Sequence, residues 1–219
     1  RLAIGAVFND DDLNENTGHV RVFDWNNGTS QWNQVGIDIN GGTSGDFFGY
    51  AVSMSADKTR IAIGAPHGLN MRGYVGVYYD NNGVWTKIAD VEGAVEKGQF
   101  GKRIALKTDC RRLVVSAPKV GILYYYSVDS SQVNLLASKN GPASNILFGH
   151  SLDFQGNTLI VADLSSLPLK IYDLSTDSFV SQAATAGIFR SSETKIKLSS
   201  DGNTVVLSMP ALNTEEDVI

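Results

Sequence analysis

Arg60-Ile-Ala-Ile-Gly-Ala-Pro66 is met again as Arg112-Leu-Val-Val-Ser-Ala-Pro118, and more loosely at residues 1–7, 158–164 and 204–210. Working outward, a Phe-Gly pair stands upstream of the middle copies, at Phe48-Gly49, Phe100-Gly101 and Phe148-Gly149. An apolar run and a polar turn separate each pair from its phrase. Downstream come two further alternating segments: 19–25 then 31–38, 74–79 then 84–89, 122–126 then 133–137, and 169–172 then 178–182. Each repeat therefore reads as four short strands. Arg1, Arg60, Arg112, Thr158 and Thr204 open the same strand in successive copies, with steps that shrink from 59 to 46 residues. Four strands per period of this length is the pattern of a propeller blade.

The physical reason is coverage. A four-stranded sheet of this size has two faces to bury and can bury neither alone, so neighbouring sheets stack. Strands covered on both sides carry near-continuous apolar runs, as Ile61-Ala-Ile63 and Leu113-Val-Val115 do. No sustained spacing of three and four residues signals a helix. The expected fold is thus all-β: a β-propeller of four-stranded antiparallel blades, with four to five repeats visible and more expected in the whole ring. The 219 residues read as one domain, with repeats at about 1–47, 48–99, 100–147, 148–187 and 188–219.

Turn chemistry supports this reading. Ser55-Ala-Asp57-Lys-Thr59, Lys107-Thr-Asp109, Gln155-Gly-Asn157 and Ser200-Asp-Gly-Asn203 suit tight hairpins between first and second strands. Asn26-Asn-Gly28, Asn81-Asn-Gly83, Asp129-Ser-Ser131 and Ser175-Thr-Asp177 do the same between third and fourth. The Phe-Gly glycine lets the chain bend as one blade hands over to the next, with the ring wedged between sheets.

The Phe-Gly pair followed by Gly64-Ala-Pro66 resembles the FG-GAP repeat of integrin α-type propellers, clearly at 48–66 and partially at 100–118 and 148–164. In the last copy Ser192-Glu193 and Met209-Pro210 stand where the motif residues belong. The resemblance implies a propeller and a structural or adhesive role in an extracellular or cell-surface assembly. It also implies a ring of seven blades, so the chain is expected to be part of a longer one. Repeats of that family commonly hold calcium in an Asp-rich loop ahead of the Gly-Ala-Pro strand. Here that loop is a hairpin with one acid, Asp57, Asp109 or Asp201, and one carboxylate cannot furnish six to eight oxygen ligands.

A different loop, Asn9-Asp-Asp-Asp12-Leu-Asn-Glu-Asn16, places oxygens at Asp10, Asp12, Asn14 and Asn16 with the alternate spacing of a calcium loop. Two readings stay open for it: calcium, or a solvated loop of turn formers. No other cofactor is expected. Asn27-Gly28-Thr29 is a glycan acceptor triplet in an expected hairpin, which makes Asn27 a candidate glycosylation site if the chain is secreted.

Net charge is −5 and no dense Lys/Arg cluster occurs, so phosphate-driven nucleic-acid binding is not expected. No membrane insertion is expected in this segment either. The single cysteine, Cys110, reads as a partly buried free thiol. His19, His67 and His150 lack metal-type spacing, and no nucleophile elbow, zinc motif or phosphate loop is present. Asp46, Asp90, Glu92 and Glu96 could supply a carboxylate pair for glycoside chemistry; they are expected in the long connections from a fourth strand to the next first strand, on one rim with the Asp10–Asp12 loop. Trp25, Trp32 and Trp85 fall at or beside the opposite hairpins, where packing between blades is the preferred reading.

Three functions follow as expectations. The preferred one is a non-enzymatic structural or adhesive module that binds protein partners, and glycans as a further class, through its long-loop rim. A calcium-dependent, lectin-like module is the first alternative. A propeller hydrolase or lyase is the second.

Overall fold

The computed structural model describes residues 1–10, 15–141, 148–162, 169–181 and 195–208. They form successive antiparallel sheets in chain order. The first contains β1 (Leu2–Ala6), β2 (His19–Asn26), β3 (Gln31–Gln34) and β4 (Ile39–Asn40). The second contains β5 (Ala51–Met54), β6 (Arg60–Ala65), β7 (Tyr74–Asn81) and β8 (Val84–Glu92). The third is built from β9 (Arg103–Leu106), β10 (Arg112–Ala117), β11 (Ile122–Val128) and β12 (Val133–Asn140). In the fourth lie β13 (Ser151–Gln155), β14 (Thr158–Ala162), β15 (Lys170–Asp173) and β16 (Val180–Ser181), and in the fifth β17 (Lys195–Leu198) and β18 (Val205–Ser208). In the second to fourth sheets strand order follows the chain, so each is a meander.

Sheets stack face to face because β6, β10 and β14 are apolar on both sides. Ile61, Ile63 and Ala65 pack with Phe48 against Val20, Val22 and Ile39 of the preceding sheet. Ala62, Val75 and Val77 meet Phe100, Leu113, Val115 and Ala117 of the next. Val114, Leu123 and Tyr125 meet Phe148, Leu159 and Val161 in turn, and Ile160 and Ala162 meet Ile196 and Leu198. The expected wedge is therefore in place: Phe48, Phe100 and Phe148 are all buried.

First strands of neighbouring sheets also touch, and polar side chains stitch them. Ser53 Oγ accepts the Leu106 amide at 2.9 Å, Ser151 Oγ that of Ile196 at 3.1 Å, and buried Asp153 that of Leu198 at 2.7 Å. These bonds satisfy backbone donors that a first strand leaves free on its outer edge.

The hairpin acids work locally. Asp57, Asp109 and Asp201 each use Oδ1 to accept the backbone amide two residues on, at 3.0 Å in all three. This is the side-chain turn that such residues favour. Cys110 is fully rather than partly buried, and its thiol donates to Asp57 Oδ2 at 3.0 Å. Burial opposes ionisation of Asp57, yet donors from Cys110, Ser55 and Thr59 hold its carboxyl well below the usual range.

Strand boundaries also needed adjustment. The segment at 31–38 is not one strand, because the chain breaks between β3 and β4 at Gly36, whose φ is +75°. The next sheet's hairpin docks there: a Cβ on Gly36 would lie 2.6 Å from the Gly83 carbonyl, and Trp85 Nε1 donates to Val35 O at 3.2 Å. The fourth strands of the second and third sheets also run further than expected, to Glu92 and Asn140, so Asp90 and Glu92 stand on a strand and not in a long connection.

Candidate functional site

The connections from second to third strand and from fourth strand to the next sheet lie together on one rim, laced by backbone hydrogen bonds that repeat. Phe47 and Phe48 amides donate to Asn16 and Thr17 carbonyls; Gln99 and Phe100 amides donate to Met71 and Arg72 in the same way. Gly41, Gly93 and Gly141 amides reach Gly18, Gly73 and Gly121. The loop containing Asp10 and Asn16 thus shares a rim with segment 40–46, as the sequence suggested.

A row of side chains crosses this rim. Phe8 meets Phe47 edge-on at 5.5 Å between ring centroids, and Phe47 meets His67 at 4.6 Å. His67 Nε2 lies 3.3 Å from Gln99 Nε2, and Lys102 Nζ donates to Gln99 Oε1 at 3.0 Å. With its carbonyl taken by Lys102, the Gln99 amide donates to the imidazole, which fixes the proton on Nδ1. Burial, then the nearby Lys102 charge, pushes the His67 pKa down, so the ring is neutral at physiological pH. Exposed apolar groups line the same rim at Phe8 (73 %), Leu69, Met71 and Val95. Leu69, Asn70 and Met71 hold their positions by three consecutive left-handed conformations, φ 53°, 58° and 65°.

Between the first two sheets the rim opens into a cleft of about 290 Å³. Phe48, Tyr74 and Tyr78 supply aromatic walls, and Asp46, Asp90 and Glu92 supply acids. Asp46 is buried; its Oδ2 accepts from the Tyr74 hydroxyl at 2.9 Å and the Thr43 amide at 3.0 Å. Burial raises the Asp46 pKa despite these donors, and burial together with Asp46 raises that of Tyr74 far above the phenol range. Lys87 pairs with Asp90 at 2.8 Å and lies over the Tyr78 ring at 5.6 Å.

The residues singled out from sequence are distributed as follows. Asp10 Oδ1 accepts the Asn16 amide at 2.7 Å and so closes its loop, while Asp12 and Asn14 lie outside the described residues. Among the described residues no group of three His, Cys, Asp or Glu side chains is placed to hold a metal ion. Asn27 is exposed at the β2–β3 hairpin tip, where Asn26 Oδ1 accepts the Gly28 and Thr29 amides at 2.9 and 3.2 Å. Trp25 and Trp32 form an exposed edge-on pair, 5.4 Å apart, at the hairpin end of the first sheet. The acidic loop lies at the opposite end, so the aromatics and the calcium-type loop of the lectin-like reading are not brought together. Asp46, Asp90 and Glu92 do converge, whereas Glu96 pairs loosely with Arg72 at 3.9 Å. The roles of Tyr74 and Tyr78 went unread in the sequence, although Tyr74-Val-Gly-Val-Tyr78 against Ile122-Leu-Tyr-Tyr-Tyr126 carries the signal.

No helix among the described residues is long and apolar enough to cross a membrane. No family model matches the sequence, and no curated protein matches it. Solved structures do. A functionally unknown protein from Desulfotomaculum acetoxidans superposes with a TM-score of 0.64 at 14 % identity, covering 88 % of this chain and 56 % of that one. A protein from Lactobacillus plantarum gives 0.64 at 12 % identity, covering 94 % of this chain and 58 % of that one. The chain thus spans somewhat more than half the length of these relatives, and it shares with them an all-β fold of successive four-stranded antiparallel sheets.

Proposed function

We propose that the chain is a non-enzymatic interaction module: an FG-GAP-type β-propeller in an extracellular or cell-surface assembly, which engages partners through its long-loop rim. The observation that carries this reading is the set of exposed apolar side chains on the long loops. Apolar side chains stand exposed on the long-loop side at Phe8, Leu69, Met71 and Val95. On the other side, arginines are spent on holding hairpins together. Arg1 Nη1 donates to the Lys58 carbonyl at 2.9 Å, Arg60 Nη1 to that of Cys110 at 3.0 Å, and Arg112 pairs with Asp177 at 2.8 Å. Exposed apolar groups on long loops are the usual material of a binding surface.

The propeller reading also draws on an open face. Leu2 and Ile4 are 43 % and 50 % exposed, whereas their repeat equivalents Ile61, Ile63, Leu113 and Val115 are all at 0 %. A further blade packed on β1 would bury them as the equivalent positions of the second and third sheets are buried. An N-glycan on Asn27 is compatible with either feature, since that hairpin tip faces away from the long-loop rim.

The test is binding of the purified chain to cells and extracellular material of its source. Phe8→Ser with Met71→Ser is expected to abolish it, and Trp25→Ser or Asn27→Gln to leave it intact. Binding lost only in the hairpin variants would overturn the reading.

A further inference from the structure

The repeats serve as controls for one another, and the third departs from the others in charge. Lys102 follows its Phe-Gly pair where the second and fourth repeats have Tyr50 and His150, and Arg103 stands where they have Ala51 and Ser151. Lys119 follows its Ala-Pro pair where the second repeat has His67 and the first has Phe8. The chain carries a net charge of −5, yet these three cations gather at the junction of the second and third sheets. Lys102 Nζ donates to Gln99 Oε1 at 3.0 Å; Arg103 Nη1 donates to the Lys102 carbonyl at 2.9 Å, and its guanidinium lies 5.8 Å from the centre of the Tyr50 ring. Lys119 stands exposed near enough for its charge to act on Lys102.

No ion pair among the described residues includes any of the three. Burial, then the charges of Arg103 and Lys119, push the Lys102 pKa down. The same junction holds Arg72, whose Nε is buried without a hydrogen-bond partner and whose guanidinium meets Glu96 only at 3.9 Å. Glu96 is the one acid on the connection 93–99, which also carries Lys97. Like charges gathered without counter-charges repel, and an incoming anion relieves that cost.

Apolar groups stand beside the cations. Met71 and Val95 are 38 % and 39 % exposed, on two connections tied together here: the Gln99 amide donates to the Met71 carbonyl at 3.0 Å and the Gly98 amide to that of Val95 at 3.2 Å. The connection that carries Met71 has eight residues between Ala65 and Tyr74, against four between Ala117 and Ile122 in the third sheet. Its added turn runs through the left-handed residues Leu69, Asn70 and Met71, a conformation that bulky side chains hold at a cost and that tends to persist at working surfaces.

We propose that the junction of the second and third sheets docks an acidic segment of a partner protein, with carboxylates on Lys102, Arg103 and Lys119 and a neighbouring apolar side chain against Met71 and Val95. The inference rests on the reading of the long-loop rim as the binding face and names the partner chemistry for it. Charge complementarity selects the carboxylates. The apolar neighbours select a protein segment over a sulfated glycan, which has anions but no apolar side chain to set on Met71 and Val95.

The experiment is fluorescence anisotropy on the whole chain with a labelled short peptide in which glutamate and leucine alternate. Versions with glutamine for glutamate and with serine for leucine are the controls, and dextran sulfate is the competing anion without apolar groups. The parent peptide is expected to bind, more weakly as NaCl rises, and the glutamine version to bind about tenfold less tightly, as two or three exposed charge contacts together would give. The serine version should also bind less tightly. Lys119→Glu, at an exposed position where the far-UV spectrum should be unchanged, is expected to remove the preference for glutamate over glutamine, and Lys102→Gln to weaken it. No binding of the glutamate peptide, equal binding of the glutamine version, a preference unaltered in Lys119→Glu, or dextran sulfate bound in place of the peptide would each overturn the proposal. The rim reading fails separately. Binding to source material that is lost in Phe8→Ser with Met71→Ser but unchanged in Lys102→Gln with Lys119→Glu would remove the acidic partner and keep the rim; binding retained in the apolar variant would remove the rim reading itself.

Discussion

At the residue scale, the tightest constraint is the approach of one sheet's second strand to the next sheet's Phe-Gly turn. A Cβ on Gly64 would sit 2.0 Å from the Gly101 carbonyl oxygen, and one on Gly5 would sit 2.1 Å from that of Gly49. Gly64→Ala should therefore cost about 1–3 kcal/mol or more, through backbone displacement rather than lost contacts. The third repeat has Ser116 at this position, and its buried Oγ has no hydrogen-bond partner. Ser116→Ala should be neutral or stabilise by up to about 1 kcal/mol, because it removes a desolvated hydroxyl. Urea unfolding of the pair checks both, and a larger loss for Ser116→Ala than for Gly64→Ala would contradict the packing argument. The Phe-Gly pairs and the Gly-Ala-Pro phrase could be read from sequence because steric demands of this kind admit few residues. The Asp46–Tyr74 bond could not, since its partners are 28 residues apart and, among the described residues, only one junction has it.

At the scale of elements, the β-meanders were legible down to their hairpins because period-two alternation and turn residues are both local. The break between β3 and β4 was not, since it answers to the neighbouring hairpin at Gly83 rather than to its own sequence. Two predictions belong here. Asp46 lies on the connection that seats the second sheet on the first, and its pKa is raised by burial. The folded state therefore binds a proton more tightly than the unfolded chain, so this group's contribution to stability grows as pH falls through the folded pKa. Asp46→Asn should flatten the dependence of Tm on pH between about pH 7 and pH 4 relative to wild type. A variant profile as steep as the parent's would show that Asp46 is not the source. The second concerns Arg112 and Asp177, which tie the third sheet to the β15–β16 hairpin with side chains 27 % and 46 % exposed. Such exposure limits their coupling to about 0.2–1 kcal/mol, screened by salt. A double-mutant cycle with Arg112→Ala and Asp177→Ala should find that value and see it shrink in molar NaCl.

For the whole molecule, the question is what meets the open face of the first sheet. Leu2, Ile4, Trp25 and Trp32 leave an apolar surface there, and an apolar face of this kind on a sheet seeks cover. In the other sheets the matching positions lie against a third strand that alternates apolar residues, as Val75 and Val77 do for Leu113 and Val115. On the proposed propeller reading, a further apolar third strand would be the surface that meets Leu2 and Ile4. Leu2→Glu with Ile4→Glu should have opposite effects in two settings. In the 219-residue chain by itself the charges lie in water, so the variant should bind less of a hydrophobic dye such as ANS and keep its Tm. In the particle isolated from its source, a blade covering that face would force two carboxylates into an apolar contact, and the variant should lose several kcal/mol of stability, on the order of 2–5. A particle that tolerates the double substitution would leave the face open in the native state and count against a closed ring, whatever the number of its blades.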